Sequence, residues 1–129
     1  MFTSLDLFRT AHAMASHAGK RQAVIASNIA NADTPGYRAK TVAAFTDVYQ
    51  GGGPTGMRAS RSGHLNATSG SARNIIPFTD TTAEVSPNGN SVSLEEEMLK
   101  GVEAQRQHQR AITIYRSGLT ILRTSIGRR

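Results

Sequence analysis

Two seven-residue apolar repeats, one at each end of the chain, constrain this sequence more than any other feature. In the first, Phe8, Ala11, Ala15, Ala18, Gln22, Ile25 and Ile29 follow one another at alternating steps of three and four. That rhythm lays them along one stripe of an α-helix, interrupted in its apolar character only by Gln22. In the second, Met98, Gly101, Gln105, His108, Ile112, Tyr115, Leu119, Leu122 and Ile126 keep the same rhythm. Its second half is strongly apolar and its first half polar or bare. Such stripes need partners, so the two helices are expected to pair as a coiled-coil-like hairpin. The tightest packing is expected over residues 112–126.

Local signals set the expected helix ends. The first helix is predicted over residues 4–32, with Thr3 or Ser4 as cap and Asp6 favourable in its first turn. Asp33-Thr34-Pro35-Gly36 stops it, because proline disfavours helical geometry at Thr34 and glycine supplies a turn. The second helix is predicted over residues 94–126. Ser93 and Glu96 make a capping-box pattern. Glu95, Glu96 and Glu97 sit at its positive dipole end, and Arg116 and Arg123 lie toward its negative end. At 1.5 Å per residue the helices span roughly 40 and 50 Å.

The stretch between them differs in kind. Three parts are expected: residues 1–36 with the first helix, an extended loop region over 37–92, and 93–129 with the last helix. Residues 50–74 are rich in Gly, Ser, Thr, Ala and Arg and show no period; they are expected to be an extended loop, disordered when the protein is alone. Phe45, Val48 and Tyr49 suit a short helical turn. Residues 74–79 and 83–85 suit short strands, with Pro77 confining the first to an edge. Pro87-Asn88-Gly89-Asn90 is a turn leading into the last helix. The fold class is therefore mainly α, with an extended connection that can carry a short β-hairpin.

Composition narrows the function. Hydrophobic residues make up 38 % and aromatics 5 %, with no tryptophan. A single closed core would be thin, which points to help from neighbouring chains. Off-stripe apolar residues, Val24, Val102, Ile114 and Ile121, are available for such contacts. The net charge is +6, but most Arg residues are scattered singly, which suits a solvated helix face better than a phosphate-binding patch. No nucleic-acid partner is expected, although a basic helical nucleic-acid binder is the alternative from another class. Cysteine is absent, which removes disulfides, thiolate metal sites and Cys nucleophiles. His12 and His17 are five apart, on different helix faces, and no metal or cofactor is expected. His108 on the second stripe reads as an ordinary hydrogen-bonded interface residue. No nucleophile–base pair and no phosphate loop stands out, so catalysis is not expected. Residues 1–18 lack a basic start followed by an apolar block, so no cleaved signal is expected. No stretch approaches the ~20 apolar residues of a membrane span.

The informative local motif runs from Ala26 to Tyr37. Asn28 and Asn31 share a face at the helix end, where their amides can cap carbonyls or bond a neighbouring chain. The segment Ser27-Asn28-Ile29-Ala30-Asn31-Ala32-Asp33-Thr34-Pro35-Gly36-Tyr37-Arg38 resembles the signature of bacterial flagellar rod and hook proteins. Arg21-Gln22-Ala23-Val24-Ile25-Ala26 before it fits as well. Asn88-Gly89-Asn90-Ser91-Val92-Ser93-Leu94-Glu95-Glu96-Glu97-Met98 resembles the start of the C-terminal helix in proximal rod subunits of that family. Ser60-Arg61-Ser62-Gly63-His64-Leu65 is a third, weaker match, in which an earlier His and a Pro common in the family are absent.

The resemblance implies a structural subunit of the flagellar basal-body rod. It implies export through the flagellar type III apparatus and assembly in the periplasm. Implied partners are the chain itself, other rod proteins, the junction protein at the rod base and the export gate. The expected subunit interface comprises Phe8, Ala15, Ala18, Gln22, Ile25, Asn28, Ile29, Asn31, Thr34, Pro35, Gly36 and Tyr37 on the first helix and joint. On the last helix it comprises Met98, Gln105, His108, Ile112, Tyr115, Leu119, Leu122 and Ile126.

Overall fold

The computed structural model describes residues 2–50 and 75–127, with side chains from Asp6 to Tyr49 and from Ile75 to Gly127. The aperiodic stretch after Gln50, the Ser60–Leu65 match within it and the Arg128–Arg129 pair lie outside the described residues. Helix α1 spans Phe2–Ala30. A strap follows, made of strand β1 (Lys40–Thr41) and the short helix α2 (Phe45–Gln50). Strand β2 (Phe78–Thr79) precedes helix α3, which spans Leu94–Ile126.

α1 and α3 form an antiparallel hairpin. Contacts run from Asn28–Glu97 at the joint, through Arg21–Glu103, to Phe8–Tyr115 near the far end. The α1 stripe is largely as the spacing predicts: Ala11, Ala18 and Ile25 are buried, with Phe8, Ala15 and Gln22 half-buried beside them. Ile29 is exposed, and the buried position in that turn belongs to Asn28.

On α3 the stripe is rotated from the predicted one. The buried residues are Glu97, Ala104, Ala111 and Gly118, one step before Met98, Gln105, Ile112 and Leu119. Small residues every seventh position let the helix backbones approach closely, and the larger apolar side chains flank that line instead of forming it. Gly118 shows the constraint directly: a Cβ there would lie 3.0 Å from the Phe8 ring. Met98 and Gln105 are exposed, whereas Gly101, His108, Ile112 and Leu119 are half-buried. Within the chain the last turns are not the tightest region, since Ile121, Leu122 and Ile126 are all exposed.

The ends also differ in detail. α1 begins at Phe2, so Thr3 and Ser4 lie inside the helix and Asp6 is past its first turn. It ends two residues before the predicted stop. α3 has the predicted bounds, and the Ser93 side chain accepts a hydrogen bond from the Glu96 amide. β1 and β2 pair antiparallel, with Lys40 opposite Thr79 and Thr41 opposite Phe78. The partner of the 74–79 region is thus the strap and not residues 83–85, which are not a strand. The strap packs Ala39 and Val42 into the core. Val24 is buried and so not available to neighbours, while Val102 and Ile121 are exposed.

Candidate assembly site

The motif at the end of α1 meets the start of α3 in a joint built almost wholly from polar groups. After Ala30 the chain turns through short backbone bonds: Asn31 N to Asn28 O, Ala32 N to Ile29 O and Thr34 N to Asn31 O. Gly36 has φ +73° and Gly89 φ +81°, both in the left-handed region that favours glycine. The two glycines abut, so a Cβ on Gly89 would lie 3.3 Å from the Gly36 Cα. Gly36 donates its amide to Asn88 O, and Ser91 donates to Tyr37 O.

Three side chains lock this turn. Asn90, 2 % exposed, donates from Nδ2 to the carbonyls of Asn31, Ala32 and Thr34 at 3.0, 2.7 and 2.9 Å. These lie at and just past the end of α1, where a helix leaves carbonyls without intrahelical partners. Its Oδ1 accepts from the Val92 amide. Asn28, fully buried, clasps the backbone of Lys40 from both sides: Nδ2 donates to its carbonyl and Oδ1 accepts from its amide. The Asn28 Nδ2 also donates to Glu97 Oε2 at 2.9 Å. Glu97 is 2 % exposed, and its other oxygen accepts from Lys100 Nζ at 2.9 Å. A buried carboxylate needs such partners, because an unpaired charge there costs several kcal/mol.

A second fastening holds the strap to α1. His17 is buried and its Nε2 donates to the Ala43 carbonyl at 2.8 Å. A carbonyl only accepts, so Nε2 carries the proton. The His17 ring meets Phe45 edge-on at 5.6 Å, Phe45 stacks on Tyr49, and the Tyr49 hydroxyl bonds Thr10 Oγ1. Beside the joint an open groove of about 320 Å³ runs between α1, the strap and α3. Four of its charged groups engage one another: Arg21 pairs with Glu103 at 3.0 Å and Lys100 with Glu97. In the same groove Asp80 accepts from the hydroxyl and amide of Thr82, which hold its carboxyl below the usual range, with Lys100 adding a smaller pull. Among the described residues no group of three His, Asp or Glu is placed to hold a metal ion, and no helix is long and apolar enough to cross a membrane.

The expected interface residues therefore divide. Ala18, Ile25 and Asn28 are buried against this chain's own strap and second helix, and Phe8, Ala15 and Gln22 largely so. Asn31 caps Ser27 O within its own turn, and Tyr37 is half-buried with its hydroxyl 3.4 Å from Asn28 Oδ1. Ile29, Thr34, Pro35, Gly36, Met98, Gln105, Tyr115, Leu122 and Ile126 are exposed. The sequence reading missed Asn90, Glu97 and His17 as fasteners. Glu97 had a signal, since it falls on the helix stripe at the same heptad position as Ala104 and Ala111.

A family model described as flagella basal body rod protein matches residues 9–38, which take in most of α1 and the turn as far as Arg38. The chain is also similar to the flagellar basal body rod protein FlgB of Agrobacterium fabrum. The two are 34 % identical over 116 residues, which cover 88 % of this chain and 87 % of the relative. The chain belongs to the FlgB family of flagellar basal body rod proteins. Its similarity to FlgB of Salmonella typhimurium is 28 % identity over 107 residues, 78 % of each chain. Family membership makes it a structural rod subunit of the flagellar basal body. The family signature thus coincides with Asn28, Asn31, Thr34 and Tyr37, the residues that turn α1 into the strap.

Proposed function

We propose that this chain is a subunit of the proximal rod, polymerising through its terminal helices to form part of the tube that transmits torque and carries the export channel. The observation that supports this most is the imbalance of the hairpin. Its core is built of small residues such as Ala11, Ala18, Ala104 and Ala111, while Met98, Leu99, Val102, Ile121 and Ile126 stay exposed. A helix pair that leaves so much apolar surface uncovered is suited to a wall of neighbouring helices. The polar joint holds the pair and the strap in one fixed relation, which suits a part that carries load. Its partners in this reading are other rod proteins, the junction protein at the rod base and the export gate. It is exported to the periplasm, assembles there and catalyses nothing.

The test is genetic and biochemical together. In-frame deletion of the coding sequence is expected to abolish motility and leave basal bodies without rods, with both restored by the wild-type chain in trans. Complete rods in the deletion strain would overturn the reading.

A further inference from the structure

α3 is charge-segregated along its length. Residues 94–103 carry Glu95, Glu96, Glu97 and Glu103 against Lys100, whereas residues 104–126 carry Arg106, Arg110, Arg116 and Arg123 and no carboxylate. The helix dipole accounts for the first-turn glutamates and for Arg123, because its influence fades within a turn of each end. It does not account for Arg106, Arg110 or Arg116. Glu103 pairs with Arg21 across the hairpin and Glu97 is buried with Lys100 and Asn28, so the acidic surface of the first half rests mainly on Glu95 and Glu96. Each charged half also holds uncovered apolar side chains. Met98, Leu99 and Val102 are exposed in the acidic half, and Ile121, Leu122 and Ile126 in the basic half. Clustered exposure of this kind marks contact surfaces.

The two patches are opposite in position as well as in charge. Leu99 and Leu122 are separated by roughly 35 Å along the axis and roughly 140° around it, from 1.5 Å rise and 3.6 residues per turn. Patches on different sides and at opposite ends do not meet their counterparts in a closed two-fold pair. A contact between unlike patches is heterologous, and it propagates from copy to copy. Charge complementarity favours that contact and opposes pairing of like patches.

We propose, resting on the rod-subunit reading above, that the acidic apolar patch of α3 docks on the basic apolar patch of α3 in a second copy of this chain. Glu95 lies one turn before Met98 and Leu99, and Arg123 one turn before Ile126, so each patch brings its own charge to the contact.

The chain has no cysteine, so introduced thiols report the contact without background. A strain carrying Leu99→Cys and Leu122→Cys in its one copy is scored for motility, and its isolated basal bodies are oxidised and run without reductant. A ladder of covalent multimers is expected from the double variant, and monomer from either single variant. Dimers from Leu99→Cys alone, or monomer throughout in motile cells, overturn the contact and leave the rod reading standing. Absence of the wild-type chain from basal bodies of motile cells overturns the rod reading itself. Where the double variant fails to enter the rod, charge exchange decides. Glu95→Arg and Arg123→Glu are each expected to cut incorporation by roughly tenfold, and the two together to restore it. Failure of the combined variant to restore incorporation overturns the contact.

Discussion

Asn28 donates to the Glu97 carboxylate across 2.9 Å, fastening the last turn of α1 to the first turn of α3. Both residues are buried, and the same Asn28 amide also holds the strap through Lys40. Asn28→Ala leaves a buried carboxylate and two backbone groups without this partner. It is expected to destabilise the chain by about 2–4 kcal/mol in urea or guanidinium unfolding. Glu97→Gln keeps an acceptor for Asn28 and is expected to cost less. A loss below about 0.5 kcal/mol for Asn28→Ala, the range of an ordinary surface substitution, would contradict the role given to this pair.

Two glycines in the long helices are expected to respond in opposite senses. Gly118 seats the Phe8 ring, so Gly118→Leu overpacks the hairpin and is expected to cost about 1–3 kcal/mol. At Gly19 an added Cβ meets nothing within 4 Å. Gly19→Ala is therefore expected to gain about 0.5–1 kcal/mol through helix propensity. Melting curves of the two variants followed by circular dichroism check both signs.

His17→Leu removes the donor to Ala43 while keeping an apolar side chain under the strap. Hydrogen exchange is expected to quicken over residues 40–49 while α1 and α3 stay protected. Equal exchange in variant and wild type would show that the strap is held by other contacts.

Much of this architecture was legible in the sequence because it is local. The Ser93 cap and the Glu-rich first turn fix the start of α3, and the α1 stripe follows from spacing alone. The α3 stripe expected from spacing falls one position late at every other step, because apolarity favours Met98 over Glu97, Ile112 over Ala111 and Leu119 over Gly118, and Gln105 follows from that register. Close helix packing rewards the small side chains, and single-sequence periodicity does not weigh size. Asn90 and His17 were illegible for another reason. Each acts on backbone carbonyls far away in the chain, at Asn31 to Thr34 and at Ala43. Nothing local marks a side chain for that work.

Acidification is expected to loosen the turn after β2 through Asp80. The Thr82 hydroxyl and amide, and to a smaller degree Lys100, lower its folded pKa while burial opposes them. A lowered folded value means the contribution to stability is complete above the ordinary aspartate pKa of about 4. It fades as the pH falls through the folded value. Asp80→Asn is expected to flatten the stability–pH profile below about pH 4 relative to wild type. Parallel profiles would contradict it.

Two aspartates separate folding from assembly. Ile25 is buried in the hairpin, so Ile25→Asp is expected to unfold α1 against α3 and lower the helical signal. Ile121 is 67 % exposed, so Ile121→Asp is expected to keep helicity and solubility and abolish motility. Normal swimming with Ile121→Asp would remove this residue from the assembly surface.

The most direct measurement is a cryo-EM map of the intact basal body at side-chain resolution. Rod-wall density fitted by the α1–α3 hairpin is expected, with Asn28 against Glu97 at one end, Phe8 against Gly118 toward the other, and neighbouring subunits over Met98, Leu99 and Ile121. A rod wall with no density for this hairpin, or the hairpin present with those apolar residues facing open solvent, would contradict it.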